Sequence, residues 1–311
     1  MSEKCEEIVG EIQDECNLSP IATETLEEQS AVLLGLYSSD AVYAAQKTHI
    51  YCFEPIEEAV ALELFKEEWL TDLTNNELAL TLVRTLDDFM EDLETFLDEV
   101  MVQKCVEAQV AASVNFYIKC LLTRASEHNS GRNSYFKDNE KAIKRMKGDA
   151  ELIREHFEVI AEEAMPTLNR VIEREFSLLD TIIELLSIAA GVSHSDVQDF
   201  ILVLQKRVRN VSITKFVVGD LYHLVKPTEE HVLYELIDSM EAEMSSMADE
   251  KAITNVDRNS VPGLRVDLMM AQHCAESERK RPDKAGGMER AEAALRGWST
   301  AFGGGGKASQ E

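Results

Sequence analysis

The residues best suited to do chemistry are crowded into one short stretch, TLVRTLDDFMEDLETFLDEVM, residues 81–101. This stretch holds seven carboxylates and a single arginine. Carboxylates on facing helices of a bundle can bind two metal ions when Glu-x-x-His pairs also project inward. The sequence contains neither Glu-x-x-His nor HExxH, and the nearest spacing is Asp220 with His223. We therefore expect no metal centre and no cofactor.

Patterns of covalent catalysis are equally weak. No GxSxG nucleophile elbow and no GxxxxGK[ST] phosphate-binding loop occurs. The six cysteines include no CxxC pair, so in a reducing compartment we expect free thiols. A cysteine nucleophile with a distant histidine stays open, because sequence does not show which residues meet in space. We expect a protein that is not an enzyme. The cysteines are Cys5, Cys16, Cys52, Cys105, Cys120 and Cys274.

Charge is distributed unevenly along the 311 residues. The first 100 residues hold 4 lysines and arginines against 25 carboxylates, and the net charge of the chain is -27. Such a surface repels phosphate backbones, so we expect no nucleic-acid partner. It suits either a basic protein partner or simple exposure to solvent. Short basic patches supply candidate contacts to a partner or to anionic lipid, with a solvated helix face as the alternative. Their residues are Lys144, Arg145, Lys206 and Arg207.

Long amphipathic helices must position these groups. In residues 78–100 apolar side chains recur at steps of three and four, which predicts one continuous helix with a buried stripe. Asp88, Glu91 and Asp92 fall mainly on the opposite side, and we interpret them as candidate contacts to a partner protein. Aromatic residues on apolar stripes are predicted to be core: Trp69, Phe89, Phe96, Tyr117 and Phe157.

The scarcity of proline and glycine favours helices throughout, so the predicted fold class is all-α. We divide the chain into an acidic helical segment, two helical bundles and a weakly structured C-terminal extension with a disordered Gly-rich tail. No signal peptide and no uncharged stretch of 18 residues is present, which is typical of a cytosolic protein. The predicted boundaries are 1–22, 23–160, 161–250 and 251–311.

The order of these features resembles a known family. ELFKEEWL (63–70) ends one helix, TLDDFMED (85–92) lies in the next, and Val114, Tyr117 and Ile118 lie in the helix after that. A later stretch begins at Asp149 and ends at Phe157. This succession is similar to the C-terminal half of the Sec-six-type subunit of the exocyst, also called the exocyst complex component three family. Members of that family are longer and carry an N-terminal coiled-coil region that this sequence lacks.

The resemblance implies an elongated stack of antiparallel helical bundles, as in other multisubunit tethering complexes. It also implies that the chain tethers secretory vesicles at the plasma membrane before SNARE-driven fusion. The implied partners are other exocyst subunits and SNARE proteins, with weak peripheral contact to anionic lipid. The implied location is the cytoplasm at sites of exocytosis. The alternative is a helical scaffold or regulatory adaptor with an unrelated partner.

Overall fold

A computed structural model describes residues 2–16, 18–71, 76–128, 134–163, 165–225, 238–244 and 264–279. Within these ranges the chain is helical and contains no strand, which confirms the predicted all-α class. No helix in the described part combines the length and apolar character that crossing a bilayer would require.

Ten α-helices of very unequal length follow one another along the described chain. A π-helical turn, Glu57–Ala61, follows the second helix, and a 3-10 turn, Pro166–Leu168, precedes the seventh. The helices are α1 Ser2–Cys16, α2 Pro20–Ile56, α3 Glu67–Thr71, α4 Glu77–Phe96, α5 Glu99–His128, α6 Asn139–Glu163, α7 Asn169–Ala189, α8 Val197–Val208, α9 Val211–Val225 and α10 Val266–Arg279.

The longest helix, α2, continues to Ile56. Ser19 caps its first turn by accepting a hydrogen bond from the Ala22 amide, and Pro20 occupies the first helical position. Pro55 lies in its last turn. Proline cannot donate to the i-4 carbonyl, and the ladder widens into the π-helical turn directly after it.

The core is built around α5. This helix is buried on nearly all sides, because α2, α7, α9 and α10 pack against it. A helix covered all round shows little amphipathic pattern, and its sequence accordingly mixes small and large apolar residues. Buried residues from Cys52 to Cys274 form one continuous cluster. The division into two bundles at residue 160 stays a prediction, and no gap in this described core marks it.

The helices α2 and α5 run parallel, and two contacts fix their register. The Cys105 thiol lies 3.6 Å from the Ala45 carbonyl oxygen, and the Gln109 amide nitrogen lies 3.9 Å from Cys52 Sγ. This register places the first residue of α5 beside about the middle of α2. The part of α2 before that point therefore extends about 28 Å beyond the start of α5, at 1.5 Å per residue.

The acidic stretch at residues 81–101 is divided between two helices, which corrects the predicted single helix. The helix α4 ends at Phe96, Leu97 is extended, and α5 begins at Glu99. Asp98 caps α5: its carboxylate accepts from the Met101 amide at 3.0 Å, and its carbonyl accepts from the Val102 amide. Asp is a favoured residue at this position because its side chain satisfies an otherwise free amide.

Removal of this cap gives a first testable result. Asp98→Ala is expected to lower the free energy of unfolding by about 1 kcal/mol, because the Met101 amide loses its acceptor. Asp98→Asn keeps an acceptor oxygen in place and should cost less. Urea denaturation of both variants measures the difference. An asparagine variant as unstable as the alanine variant would argue against capping by this side chain.

The helix α10 lies within the segment that we predicted to be weakly structured. Its buried side chains include Val266, Met270 and Cys274, and it packs against α5, α8 and α9. An apolar step of four residues places these three side chains on one face, which provides the physical reason. The predicted Gly-rich tail and the rest of that extension lie outside the described residues.

Candidate protein-interaction site

The acidic side of α4 faces solvent. Asp88, Glu91 and Asp92 are exposed, and no ion pair involves them within the described ranges. The opposite side of the helix is buried against α2, α5 and α6. Apolar residues at steps of three and four in the sequence produce a helix with one buried side and one exposed side. The fully buried side chains are Ala79, Leu82, Leu86 and Met90.

A contact with α6 holds α4 in position. His156 Nδ1 lies 3.4 Å from the Asp87 carboxylate, and the Phe157 ring packs edge-on beside the imidazole. Burial lowers the pKa of His156, while the neighbouring Asp87 opposes that shift. Asp87 is thus engaged within the molecule, whereas the next three carboxylates of α4 point outwards and can meet a partner.

The aromatic residues predicted as core occupy three different environments. Trp69, Tyr117 and Phe157 are buried, and Phe89 is half-buried against the core. Phe96 is 81% exposed, which corrects its assignment to the core. It is the last residue of α4, and the turn that follows directs the chain into α5 before the apolar stripe can continue. Leu97 and Val100 beside it are exposed as well.

Phe96, Leu97 and Val100 extend the acidic side of α4 with apolar side chains. Asp98 and Glu99 lie between them, so the corner combines exposed apolar groups with carboxylates. We call the set formed by Asp88, Glu91, Asp92, Phe96, Leu97 and Val100 the α4 surface. Apolar anchors ringed by charge are a common arrangement at protein interfaces.

A buried carboxylate links the three helices α3, α5 and α6. Asp149 Oδ2 on α6 accepts hydrogen bonds from Trp69 Nε1 and from the Tyr117 hydroxyl, each at 2.9 Å. Its other oxygen has no hydrogen-bond partner among the described residues, and Arg145 Nε lies 3.9 Å away. Burial raises the pKa of Asp149 to about 6, and the two hydrogen bonds and Arg145 oppose that shift. We call these residues the Asp149 node.

The turn between α2 and α3 completes the node. Phe65 adopts a left-handed backbone with φ of 66°, which is rare for a bulky residue, and its ring stacks edge-on against both Trp69 and Tyr117. Arg124 donates to the carbonyl oxygens of Ala61, Leu62 and Leu64, which have no helical partner of their own. These contacts hold the turn rigid around the buried rings.

Sequence reasoning missed Arg124 and the polar role of Asp149. Trp69 and Tyr117 were predicted as core aromatics and Asp149 only as part of a family pattern, and the bonded pairs are 80 and 32 residues apart in the sequence. The available signal was an arginine inside an apolar helix, where an unpaired cation would be costly. Such a residue predicts a nearby acceptor without saying where it lies.

The predicted basic contacts divide into two kinds. Lys144 and Lys206 are exposed. Arg145 is nearly buried against Asp149, and Arg207 forms an ion pair with the buried Glu175 and donates to the Arg174 carbonyl. The two arginines are therefore bound within the molecule, which corrects their prediction as free partner contacts. The planar guanidinium suits such internal pairing better than an ammonium does.

Three buried cysteines are poorly suited to be the nucleophile that the sequence left open. Burial raises the pKa of Cys105 to about 11 and that of Cys120 to about 12, and it raises the pKa of Cys52 as well. Nucleophilic attack requires a thiolate, which these shifts suppress at neutral pH. Among the described residues no group of His, Cys, Asp and Glu is arranged to bind a metal ion.

A serine, a histidine and an aspartate do meet between α5, α9 and α10. Ser126 Oγ lies 3.4 Å from His273 Nε2, and Asp220 Oδ2 lies 3.1 Å from the same nitrogen. A catalytic triad places the serine and the carboxylate on different imidazole nitrogens, so that one orients the ring and the other receives its proton. This cluster lacks that relay and packs three helices together.

Comparison with known proteins gives one match. Residues 58–190 match the family model described as exocyst complex component Sec6. The match confirms the predicted resemblance to this exocyst family. No curated protein and no solved structure matches the chain significantly.

The matched range contains the main features of the candidate site. It begins in the π-helical turn, includes the whole α4 surface and the Asp149 node, and ends at the close of α7. The helices α1, α2, α8, α9 and α10 lie outside it. The similarity is therefore concentrated in the helices around α5.

Proposed function

We propose that this chain acts as an exocyst-type subunit that helps tether secretory vesicles to the plasma membrane before fusion. The family match over residues 58–190 is the observation that carries the proposal. An all-α architecture of packed long helices is compatible with such work, which depends on protein contacts. The chain would take no part in covalent chemistry. Two observations support that view. The pKa values of the buried cysteines are raised. The cluster of Ser126, His273 and Asp220 lacks the arrangement of a catalytic triad.

The α4 surface is the contact that we assign to other exocyst subunits. Its exposed apolar side chains, Phe96 above all, would be buried in a partner and supply most of the affinity. The carboxylates Asp88, Glu91 and Asp92 would attract a basic patch and speed encounter. Because the contact between His156 and Asp87 ties α4 to α6, we expect the surface to bind with little reorganisation.

The proposal extends to location and to two further partners. We place the chain in the cytoplasm, peripheral to the plasma membrane at sites of exocytosis. SNARE proteins are proposed partners on the strength of the family alone. Lys144 and Lys206 are exposed and can add weak contact with anionic lipid, at about 1 kcal/mol for each basic residue near the surface.

Charge reversal on α4 tests the assigned contact. The variant Asp88→Lys/Glu91→Lys/Asp92→Lys is expected to keep its melting temperature within a few degrees, since all three side chains are exposed. Its recovery of exocyst subunits from cytosol should fall by about tenfold, because like charges would then oppose a basic partner. Quantitative mass spectrometry of proteins bound to the tagged chain measures this recovery.

A matched control separates a local effect from overall charge. Glu151, Glu155 and Glu162 are exposed carboxylates on α6. Their replacement by lysine changes the net charge equally and should leave the recovery of exocyst subunits unchanged. Equal losses in both variants, or no loss in either, would remove the α4 surface from the proposal.

A further inference from the structure

The helices α1 and α2 form a hairpin that extends beyond the main bundle. Gln13 Nε2 donates to Glu27 Oε1 at 2.9 Å, which fixes α1 antiparallel against the start of α2. Because α2 and α5 are parallel in this register, the part of α2 before about residue 39 extends beyond the N-terminal end of α5. Within the described chain α1 packs against α2, and the contact of Gln13 with Glu27 lies in this part of α2. We call residues 7–46 the hairpin.

The uncovered side of the hairpin is apolar. Leu36 and Tyr37 are 60% and 63% exposed, and Val32 and Leu33 are each more than half exposed. At 100° per residue Leu33, Leu36 and Tyr37 lie on one face of α2, and Tyr43 continues it. Single exposed apolar residues are normal on protein surfaces, whereas a run at helical spacing marks a contact surface.

The charges around this face are all negative. Between Lys4 and Lys47 the sequence holds nine carboxylates and neither lysine nor arginine. Glu24, Glu27, Glu28 and Asp40 are exposed along α2, and α1 adds Glu7, Glu11 and Glu15. No ion pair involves these carboxylates within the described ranges, so no described basic group neutralises them. The surface is therefore apolar along its centre and acidic along its flanks.

At the C-terminal end of this face a lysine of the same helix contacts a tyrosine ring. Lys47 Nζ lies 5.4 Å from the centroid of the Tyr43 ring. An ammonium group over a tyrosine ring is stabilised by the negative face of the ring. Tyr37, six residues earlier and about 120° around α2 from Tyr43, offers an exposed ring without a described cation. A basic side chain from a partner would make the equivalent contact there.

We propose that the hairpin binds an amphipathic helix of a partner protein with basic residues beside its apolar stripe. An apolar stripe on that helix would cover Leu33, Leu36 and Tyr37, and its lysines and arginines would meet the flanking carboxylates. A second copy of this chain would place acidic flank against acidic flank. An anionic membrane would be repelled by the same charges.

This inference goes beyond the proposed function and does not depend on it. The hairpin lies outside residues 58–190, where the family match is found. Its test also uses other residues and another readout than the test of the α4 surface, so that either proposal can fail while the other holds.

A synthetic peptide pair tests the proposal on the full chain. The probe is a fluorescein-labelled 18-residue helix with leucines at steps of three and four and lysines beside them. Its counterpart carries glutamate at every lysine position. Fluorescence anisotropy is expected to show binding of the basic peptide and none of the acidic one. Leu33→Ser/Leu36→Ser/Tyr37→Ser should weaken binding by on the order of tenfold or more, because three apolar contacts are lost.

Two controls decide the result. Val159→Ser/Val192→Ser removes exposed apolar side chains from other parts of the surface and should leave the affinity unchanged. A scrambled basic peptide without an apolar stripe should bind more weakly than the ordered one. Equal affinity of the hairpin variant and the parent chain would overturn the proposal, as would equal binding of the scrambled peptide.

Measurements on the free chain exclude the other occupants. Sedimentation equilibrium is expected to show a monomer. A dimer that the hairpin variant dissolves would make a second copy the occupant and overturn the proposal. Carbodiimide joins neighbouring carboxylates and lysines. Cross-links from the hairpin to lysines of residues 280–311 would instead make that segment of this chain the occupant.

Discussion

Replacing Phe157 with alanine is expected to lower the free energy of unfolding by about 3–5 kcal/mol. The Phe157 side chain is fully buried on α6, and its ring packs against His156, which holds α4. Truncation removes the transfer free energy of the ring and leaves a cavity that the surrounding helices fill only in part. Urea denaturation followed by circular dichroism at 222 nm measures the loss.

The same substitution at Phe96 is the matched control. Its side chain is 81% exposed, so Phe96→Ala is expected to change the free energy of unfolding by less than about 0.5 kcal/mol. A cost of several kcal/mol at Phe96 would contradict the break between α4 and α5 and would restore the continuous helix that the sequence predicted. A cost below about 1 kcal/mol at Phe157 would contradict the packing of α6.

Acidification is expected to strengthen the Asp149 node. Burial raises the pKa of Asp149 from its ordinary value of 3.8 to about 6, so the folded chain holds a proton that the unfolded chain has released. The stability due to this proton is complete below pH 3.8 and is lost as the pH rises through 6. Between pH 5 and 7.5 the loss is on the order of 1 kcal/mol.

Asp149→Asn isolates this effect from the many other carboxylates. Asparagine keeps an acceptor for Trp69 and Tyr117 but does not titrate. The difference in unfolding free energy, parent chain minus variant, is expected to fall by on the order of 1 kcal/mol from pH 5 to pH 7.5. Urea denaturation at several pH values measures it. A difference that is constant with pH, or that rises, would show that Asp149 is ionised throughout.

Local periodicity predicted much of α4 from the sequence. The stripe at steps of three and four placed Leu82 and Leu86 inside and Asp88, Glu91 and Asp92 outside, and the structure has them so. The prediction succeeds because the spacing of apolar residues within one helix identifies the side that the helix buries. Asn76, one of two residues proposed as a helix start, is the N-cap of α4.

The interruptions were harder to predict, because they depend on competition between local signals. Leu97 and Val100 continue the apolar spacing, yet the capping carboxylate of Asp98 starts a new helix between them. Pro55 is a good helix start by itself, but α2 runs through it and ends one residue later. In both places a stabilising contact outweighed the pattern of the flanking residues.

Long-range pairs were beyond sequence reasoning. Arg207 looks like a member of an exposed basic patch, yet it lies against the buried Glu175 of another helix. Asp149 meets Trp69 only after α3 and α6 have packed. A linear pattern states that a charged group needs a partner when it is buried, and the fold alone decides which residue that is.

The central claim is that this chain works as part of an exocyst-type tethering complex. The most direct test is affinity purification of the tagged, full-length chain from the cytosol of its own cells, with mass spectrometry of the bound proteins. We expect recovery of several exocyst subunits above an untagged control. Their consistent absence, with an unrelated protein recovered in their place, would contradict the account and favour a helical scaffold or regulatory adaptor.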